Sequence, residues 1–210
     1  MVKEDNTQQR ILDAARTIFM KKGLSGARMQ EIANEAGINK ALLHYYFRTK
    51  DKLYYAILEE AFKTILPLVA DVFNSAETLE MKLNRLASRY VELLEEHRYL
   101  PLFIMNELQM NPGRISEFIN LKKFINLSNL KKQVQDEYGL ENINEGMLIH
   151  AFINFLSNMI FPFMARPIIQ LNLGISDELY HEFILARKTL IPKVFISTLK
   201  SMNEYATKIK

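Results

Sequence analysis

Residues 29–47 read MQEIANEAGINKALLHYYF, and this stretch decides how the chain is organised. Met29, Ile32, Ala33 and Ala36 recur at i, i+3, i+4 and i+7, the spacing of one apolar face on a short helix. Gly37 follows at once, and glycine takes positive φ without steric penalty, so a tight turn is expected there. Asn39 is then placed to cap a second short helix over 40–46, which Phe47 closes. Ala33 is small where the two helices must approach closely, and Ile38 and Leu43 supply apolar packing behind the turn. Two short helices joined in this way fit a helix-turn-helix, whose second helix lies in the major groove of DNA. On spacing alone the pattern fits a generic helical hairpin equally well.

Working outward, helical periodicity continues in both directions. Ile11, Leu12, Ala15, Ile18 and Phe19 form one stripe on a helix expected over 7–22, with Gly23 to end it. Thr49 can cap a fourth helix that runs to about 66, where Pro67 bends or ends it. Further helices are expected over 78–97, 99–110, 144–164 and 176–205, the last interrupted by Pro192, with one or two pieces over 115–138. No segment alternates with period two between turn residues. The sequence therefore predicts an all-α protein with two domains: a helix-turn-helix domain over 1–50 and a helical domain over 51–210.

Composition narrows the functional classes. Residues 1–52 carry ten Lys or Arg against six acidic residues, whereas the remainder carries 17 against 18. The positive field is thus confined to the amino-terminal quarter, where a polyanion can bind. Cysteine is absent, which excludes disulfides and thiolate metal sites. The first ten residues are polar and hold no signal-peptide core, so a cytoplasmic location is expected. The greasiest stretch, 147–164, is broken by His150, Asn154, Ser157, Asn158 and Pro162, and reads as a buried helix with no membrane partner. His44, His97, His150 and His181 show no metal-ligand spacing, and neither a phosphate loop nor a nucleophile elbow occurs. No cofactor and no enzymatic activity are expected.

The residues themselves carry a resemblance. RILDAA over 10–15, Phe19, Gly23, MQEIANEAGINK over 29–40 and HYYFRTKDKL over 44–53 resemble the TetR family of transcriptional regulators. The resemblance implies three helices for DNA followed by a variable ligand-binding domain that also dimerises. It implies that Lys40, Ala41, Leu42 and Tyr45 face base edges, and that His44, Tyr46 and Lys50 contact phosphates. Ala27 and Arg28 depart from the family, which usually opens its second helix with a pair of hydroxyl residues. Arg28 either replaces the lost phosphate contact by charge or is a solvated surface residue. Ala41 and Leu42 offer no side-chain hydrogen bond, so base reading rests on Lys40 and on apolar contact with thymine methyls.

The second domain holds seven of the ten methionines and most of the aromatic residues. Such an interior suits an adaptable pocket for a small apolar or amphipathic ligand. Phe103, Met110, Phe118, Asn154 and Asn158 are its candidate contacts. His150, Asn154 and Asn158 recur every four residues, and such amides line either a pocket or a dimer seam. Phe152, Phe155, Leu156, Met159, Phe183, Leu190 and Val194 are the candidate seam of a homodimer, because one chain alone struggles to cover both long apolar helices. The leading reading is a ligand-responsive repressor bound to a double-stranded DNA operator. The competing reading is a helical protein-interaction module that has lost its operator; the retention of Lys40, Tyr45, Tyr46 and Lys50 together favours the first.

Overall fold

The computed structural model of the chain describes residues 2–113, 115 and 126–209. Among these residues it is all-helical, with α1 (Val2–Gly26), α2 (Met29–Glu35), α3 (Lys40–Tyr46), α4 (Lys50–Asn74) and α5 (Leu79–Glu96). They are followed by α6 (Leu100–Met110), α7 (Leu127–Tyr138), α8 (Glu145–Met164), α9 (Arg166–Leu173) and α10 (Asp177–Ile209). Two compact units result. One comprises Met1–Thr64 with Phe103–Phe118; the other comprises Ile65–Leu102 with Ile119–Lys210. The division falls within α4.

The first unit is built on the apolar stripe of α1. Ile11 and Ala15 are wholly buried, as are Ile32 and Ala33 of α2, Leu43 of α3, and Leu53, Ile57 and Leu58 of α4. Tyr54 sits between Phe19, edge-on at 5.3 Å, and Phe103, at 4.4 Å between ring centres. Arg16 is buried and bridges two carboxylates, Asp13 on its own helix and Glu60 on α4. Gly23 takes φ of 68° and ψ of 174°, outside the helical region, so the first helix is interrupted where expected and a short helical turn follows to Gly26. The segment that includes Phe118 lies outside the described residues, as does most of 115–126.

The second unit is a bundle in which α8 packs on α10 and α5, and α5 packs on α10. Leu83, Leu86 and Leu94 of α5 meet Leu148, Phe155 and Met159 of α8 and Ile191, Phe195 and Leu199 of α10 in its core. Phe155 and Phe195 form an edge-to-face pair at 6.2 Å. By length and apolarity α8 is able to cross a membrane, but Leu148, Ala151, Phe155, Met159 and Pro162 serve here as core.

Three prolines lie inside helices that continue past them. Of the bend or end expected at Pro67, the end is not made: α4 runs on to Asn74. Pro192 likewise leaves α10 unbroken. Each proline removes one N–H and deprives the carbonyl four residues earlier of its partner. For Pro67 that carbonyl belongs to Lys63, an exposed residue, so water can satisfy it. For Pro162 it belongs to half-buried Asn158, and the chain supplies a replacement: the Arg187 guanidinium of α10 donates to the Asn158 carbonyl from Nε at 3.0 Å and also from Nη2. Tyr180 donates from its hydroxyl to the carbonyl of Pro162 itself at 3.0 Å. Helix α9, absent from the sequence reading, begins with a proline at its second position, where no helical N–H is needed.

Arg187→Met should therefore strand the Asn158 carbonyl and lower unfolding free energy by about 1–3 kcal/mol at fixed protein concentration, measured in urea. Equal stability of the variant would show that the carbonyl has another partner.

Candidate nucleic-acid interface

The turn between α2 and α3 is fixed from three directions. Gly37 has φ of +64°, the left-handed region that disfavours side chains. Ile38 N–H reaches back to the Ala33 carbonyl at 3.0 Å. Arg10 of α1 donates from Nη2 to the Ala36 carbonyl at 2.6 Å, and a Cβ at Gly37 would lie only 3.1 Å from that nitrogen. Sequence reasoning missed this part of Arg10, because nothing in the pattern announces a bond spanning 26 residues.

Helix α3 spans the expected residues, and Asn39 caps it by accepting from Leu42 N–H at 2.8 Å. Leu43 and Phe47 are buried and anchor one face. The other face carries Lys40, Ala41, Leu42 and Tyr45, all exposed, with Tyr45 at 75%. Ala41 and Tyr45 are four residues apart, so they share that face with Leu42 between them. Tyr45 and Tyr46 meet edge-to-face at 5.5 Å, which holds two phenol groups side by side at the rim.

The phosphate candidates differ in how they are held. His44 places Nδ1 3.2 Å from the Arg48 carbonyl; Nδ1 must carry the proton to donate there, leaving Nε2 outermost. Lys50 is not idle. Its ammonium donates to the carbonyls of Ser25 at 3.2 Å and Ala27 at 3.1 Å, which ties the start of α4 to the approach of α2. Thr49 caps α4 by accepting from Lys52 N–H at 3.2 Å. Arg28 stands in the N-cap position of α2 with extended backbone and makes no side-chain capping bond, so its guanidinium is exposed beside Lys50's anchors. Lys22 pairs with Glu31 at 2.8 Å, and this hydrogen bond holds the Glu31 carboxyl below its usual range.

The candidates in the rest of the chain are scattered. Phe103 is buried in the first unit against Tyr54, and Met110 there is 77% exposed. Asn154 and Asn158 belong to the second unit and are half-buried; Asn158 donates to the Asn154 carbonyl at 2.8 Å. Of the seam candidates, Phe155 and Met159 are wholly buried within the chain, and Phe152 packs edge-on to Phe73 at 5.9 Å. Leu156 is half-buried, whereas Phe183, Leu190 and Val194 are exposed. Exposed as well, though not among the expected seam residues, are Ile149 and Ile153 of α8.

Residues 11–57 match the family model described as bacterial regulatory proteins, tetR family. The amino-terminal domain is a tetR-family domain. Over 73 residues the chain is 36% identical to the transcriptional repressor NicS of Pseudomonas putida, covering 35% of this chain and 31% of that protein. Matches to curated relatives span between 24% and 56% of those proteins' length. Two solved structures share the fold across nearly the whole chain. The fatty acid degradation regulator FadR from Bacillus halodurans has a TM-score of 0.63 at 18% identity, covering 90% of this chain and 94% of that one. The transcriptional regulator FadR from Bacillus subtilis, solved in complex with stearoyl-CoA, has a TM-score of 0.61 at 18% identity, covering 90% and 98%.

In this tetR-family domain the positive φ at Gly37 makes a direct test. Gly37→Ala should destabilise the domain by about 1–3 kcal/mol, the usual cost of a side chain held in the left-handed region. Thermal unfolding checks this; an unchanged midpoint would mean that the turn is free to adopt another conformation.

Proposed function

We propose that the chain is a transcriptional regulator that binds a roughly palindromic operator as a homodimer, inserting α3 into the major groove. The observation that carries this is the two-faced build of α3. Leu43 and Phe47 lock one face into the core, while Lys40, Ala41, Leu42 and Tyr45 stand exposed on a helix capped by Asn39. Lys40 reads base edges by hydrogen bonding, and Ala41 and Leu42 favour thymine methyls. Arg28, His44, Tyr46 and Lys50 hold phosphates and set register without reading sequence.

The dimer reading rests on two apolar rows in the second unit. Ile149 and Ile153 of α8 and Leu179, Phe183, Leu190 and Val194 of α10 recur at intervals of four and seven, the seam spacing of packed helices. Each is about half exposed, so covering it is worth about 1 kcal/mol, roughly half the value for full burial. Covering both rows with the same rows of a second copy is self-complementary under two-fold symmetry.

Ligand response is the last part of the proposal. A small apolar or amphipathic molecule binds among the Phe- and Met-rich helices of the second unit, where Asn154 and Asn158 are the candidate contacts. Helix α4 belongs to both units, so it is the element through which occupancy changes the spacing of two α3 helices. The proposed role is repression relieved by the ligand.

Two measurements test the reading. With a duplex selected from a random pool, Lys40→Ala should weaken binding by about 1–3 kcal/mol and relax base preference. Lys50→Ala should weaken all sequences alike and reduce the salt slope by about one. Equal binding of parent and Lys40→Ala to selected and random DNA would remove Lys40 from base reading. Light scattering at micromolar concentration should report a dimer. Leu190→Asp should raise the dimer dissociation constant at least about a hundredfold. A parent monomer, or an unaffected variant, would contradict the seam.

A further inference from the structure

The four histidines of the chain differ in what they face. His181 lies 2.8 Å from the Glu95 carboxylate and His97 4.0 Å from that of Glu96, so each has an acidic neighbour. His150 is exposed on α8. His44, in the last turn of α3, forms no ion pair among the described residues; what it meets is the Arg48 carbonyl, 3.2 Å from Nδ1. A carbonyl oxygen only accepts, so the proton is assigned to Nδ1, and in the neutral ring Nε2 is then a bare acceptor.

A phosphate oxygen also only accepts, so neutral His44 has no donor left to offer it. Moving the proton to Nε2 does not help, because the lone pair of Nδ1 would then face that of the Arg48 carbonyl. Only the imidazolium, with a proton on each nitrogen, satisfies the carbonyl and a phosphate together. The chain supplies that cation with no counter-charge. Lys40 stands one turn before His44 and Arg48 one turn after it, and α4 opens with Lys50, Asp51 and Lys52, of which Asp51 is exposed and unbonded to His44. Of the acids on α2, which packs on α3, Glu31 is paired with Lys22 at 2.8 Å, and Glu35 lines a cavity with Arg10, Asp13 and Thr17 of α1. Duplex DNA brings the missing negative charge, about one for every 1.7 Å of its axis.

We propose that His44 contacts phosphate only as the imidazolium, so that a proton is a co-ligand of DNA binding, one for each protomer. This rests on the reading above that α3 faces DNA. Imidazole is the side chain whose charge ordinarily changes between pH 5 and 8. A nearby phosphate favours its charged form, so His44 holds more proton in the complex than in the free chain. Binding therefore takes up protons, and affinity rises as pH falls through the imidazole range. The gain levels off once the free chain is protonated as well.

The test is fluorescence anisotropy of the full chain with a duplex selected from a random pool, at pH 6, 7 and 8 and constant ionic strength. The parent should bind at least about tenfold more tightly at pH 6 than at pH 8. His44→Gln keeps a donor without a titrating charge, and His44→Lys is charged throughout; both should vary less than about twofold. His97, His150 and His181 remain in all three proteins, so any contribution of theirs cancels. Calorimetry at pH 7 in two buffers of different ionisation enthalpy should show uptake of roughly half a proton or more per protomer in the parent and none in His44→Gln. The ring nitrogens of His44, read by NMR in the free chain at pH 8, should show the proton on Nδ1. A proton on Nε2 there, or the same pH slope in the parent and His44→Gln, would overturn the proposal and leave the regulator reading standing. Failure to select any duplex that binds at any of these pH values would sink both.

Discussion

The geometry of the DNA-facing helix depends on one turn. Three backbone facts must hold together there: a left-handed residue at 37, a hydrogen bond from Ile38 to Ala33, and a carbonyl at Ala36 aimed at Arg10. Without them Leu43 would not enter the core, and the exposed row on α3 would rotate away from its bearing. The arrangement is economical because the same small residue, Ala33, that permits close packing also accepts the bond closing the turn. Arg10 adds a charge-assisted hydrogen bond, which is stronger than a neutral one. Recognition is thus set from behind α3, by residues that need never touch a base.

The second unit solves a different problem. Its helices are long and apolar, and three of them carry internal prolines that ought to weaken them. Pro162 is accommodated because α10 supplies donors to α8: Arg187 replaces the missing backbone partner, and Tyr180 binds the proline's own carbonyl. The guanidinium of Arg187 also lies 5.0 Å from the ring of Phe183, beside the exposed apolar row. A bend that would be a defect in an isolated helix becomes a specific α8–α10 fastening. The same two helices then leave Ile153, at 56% exposure, and Leu190, at 51%, facing outward.

Much of this was legible in the sequence, and where it was not the reasons are physical. The short helices were readable because their boundaries are chemical: Asn39 caps α3, and the stripes of α1 and α2 have helical period. Proline reads as a bend, an end or an interruption, but tertiary packing and solvent outweigh one lost hydrogen bond at Pro67 and Pro192, and both helices run on. Periodicity reveals that a side chain is apolar, but not which neighbour covers it. For that reason Phe155 and Met159 read as seam residues although the chain buries them itself, while Ile149 and Ile153 were passed over. The engagement of Lys50 with Ser25 and Ala27, and of Lys82 with Gln133, depends on contacts between distant residues that no local pattern encodes.

The central claim is that α3 enters DNA while the apolar rows of α8 and α10 do not. Backbone amide NMR of the full chain, titrated with a selected duplex, tests this residue by residue. The account predicts that the largest shifts fall on residues 39–46 and on Arg28 and Lys50, with little change at Ile153 and Leu190. Shifts concentrated on α8 and α10, or none on α3 at saturating DNA, would contradict it.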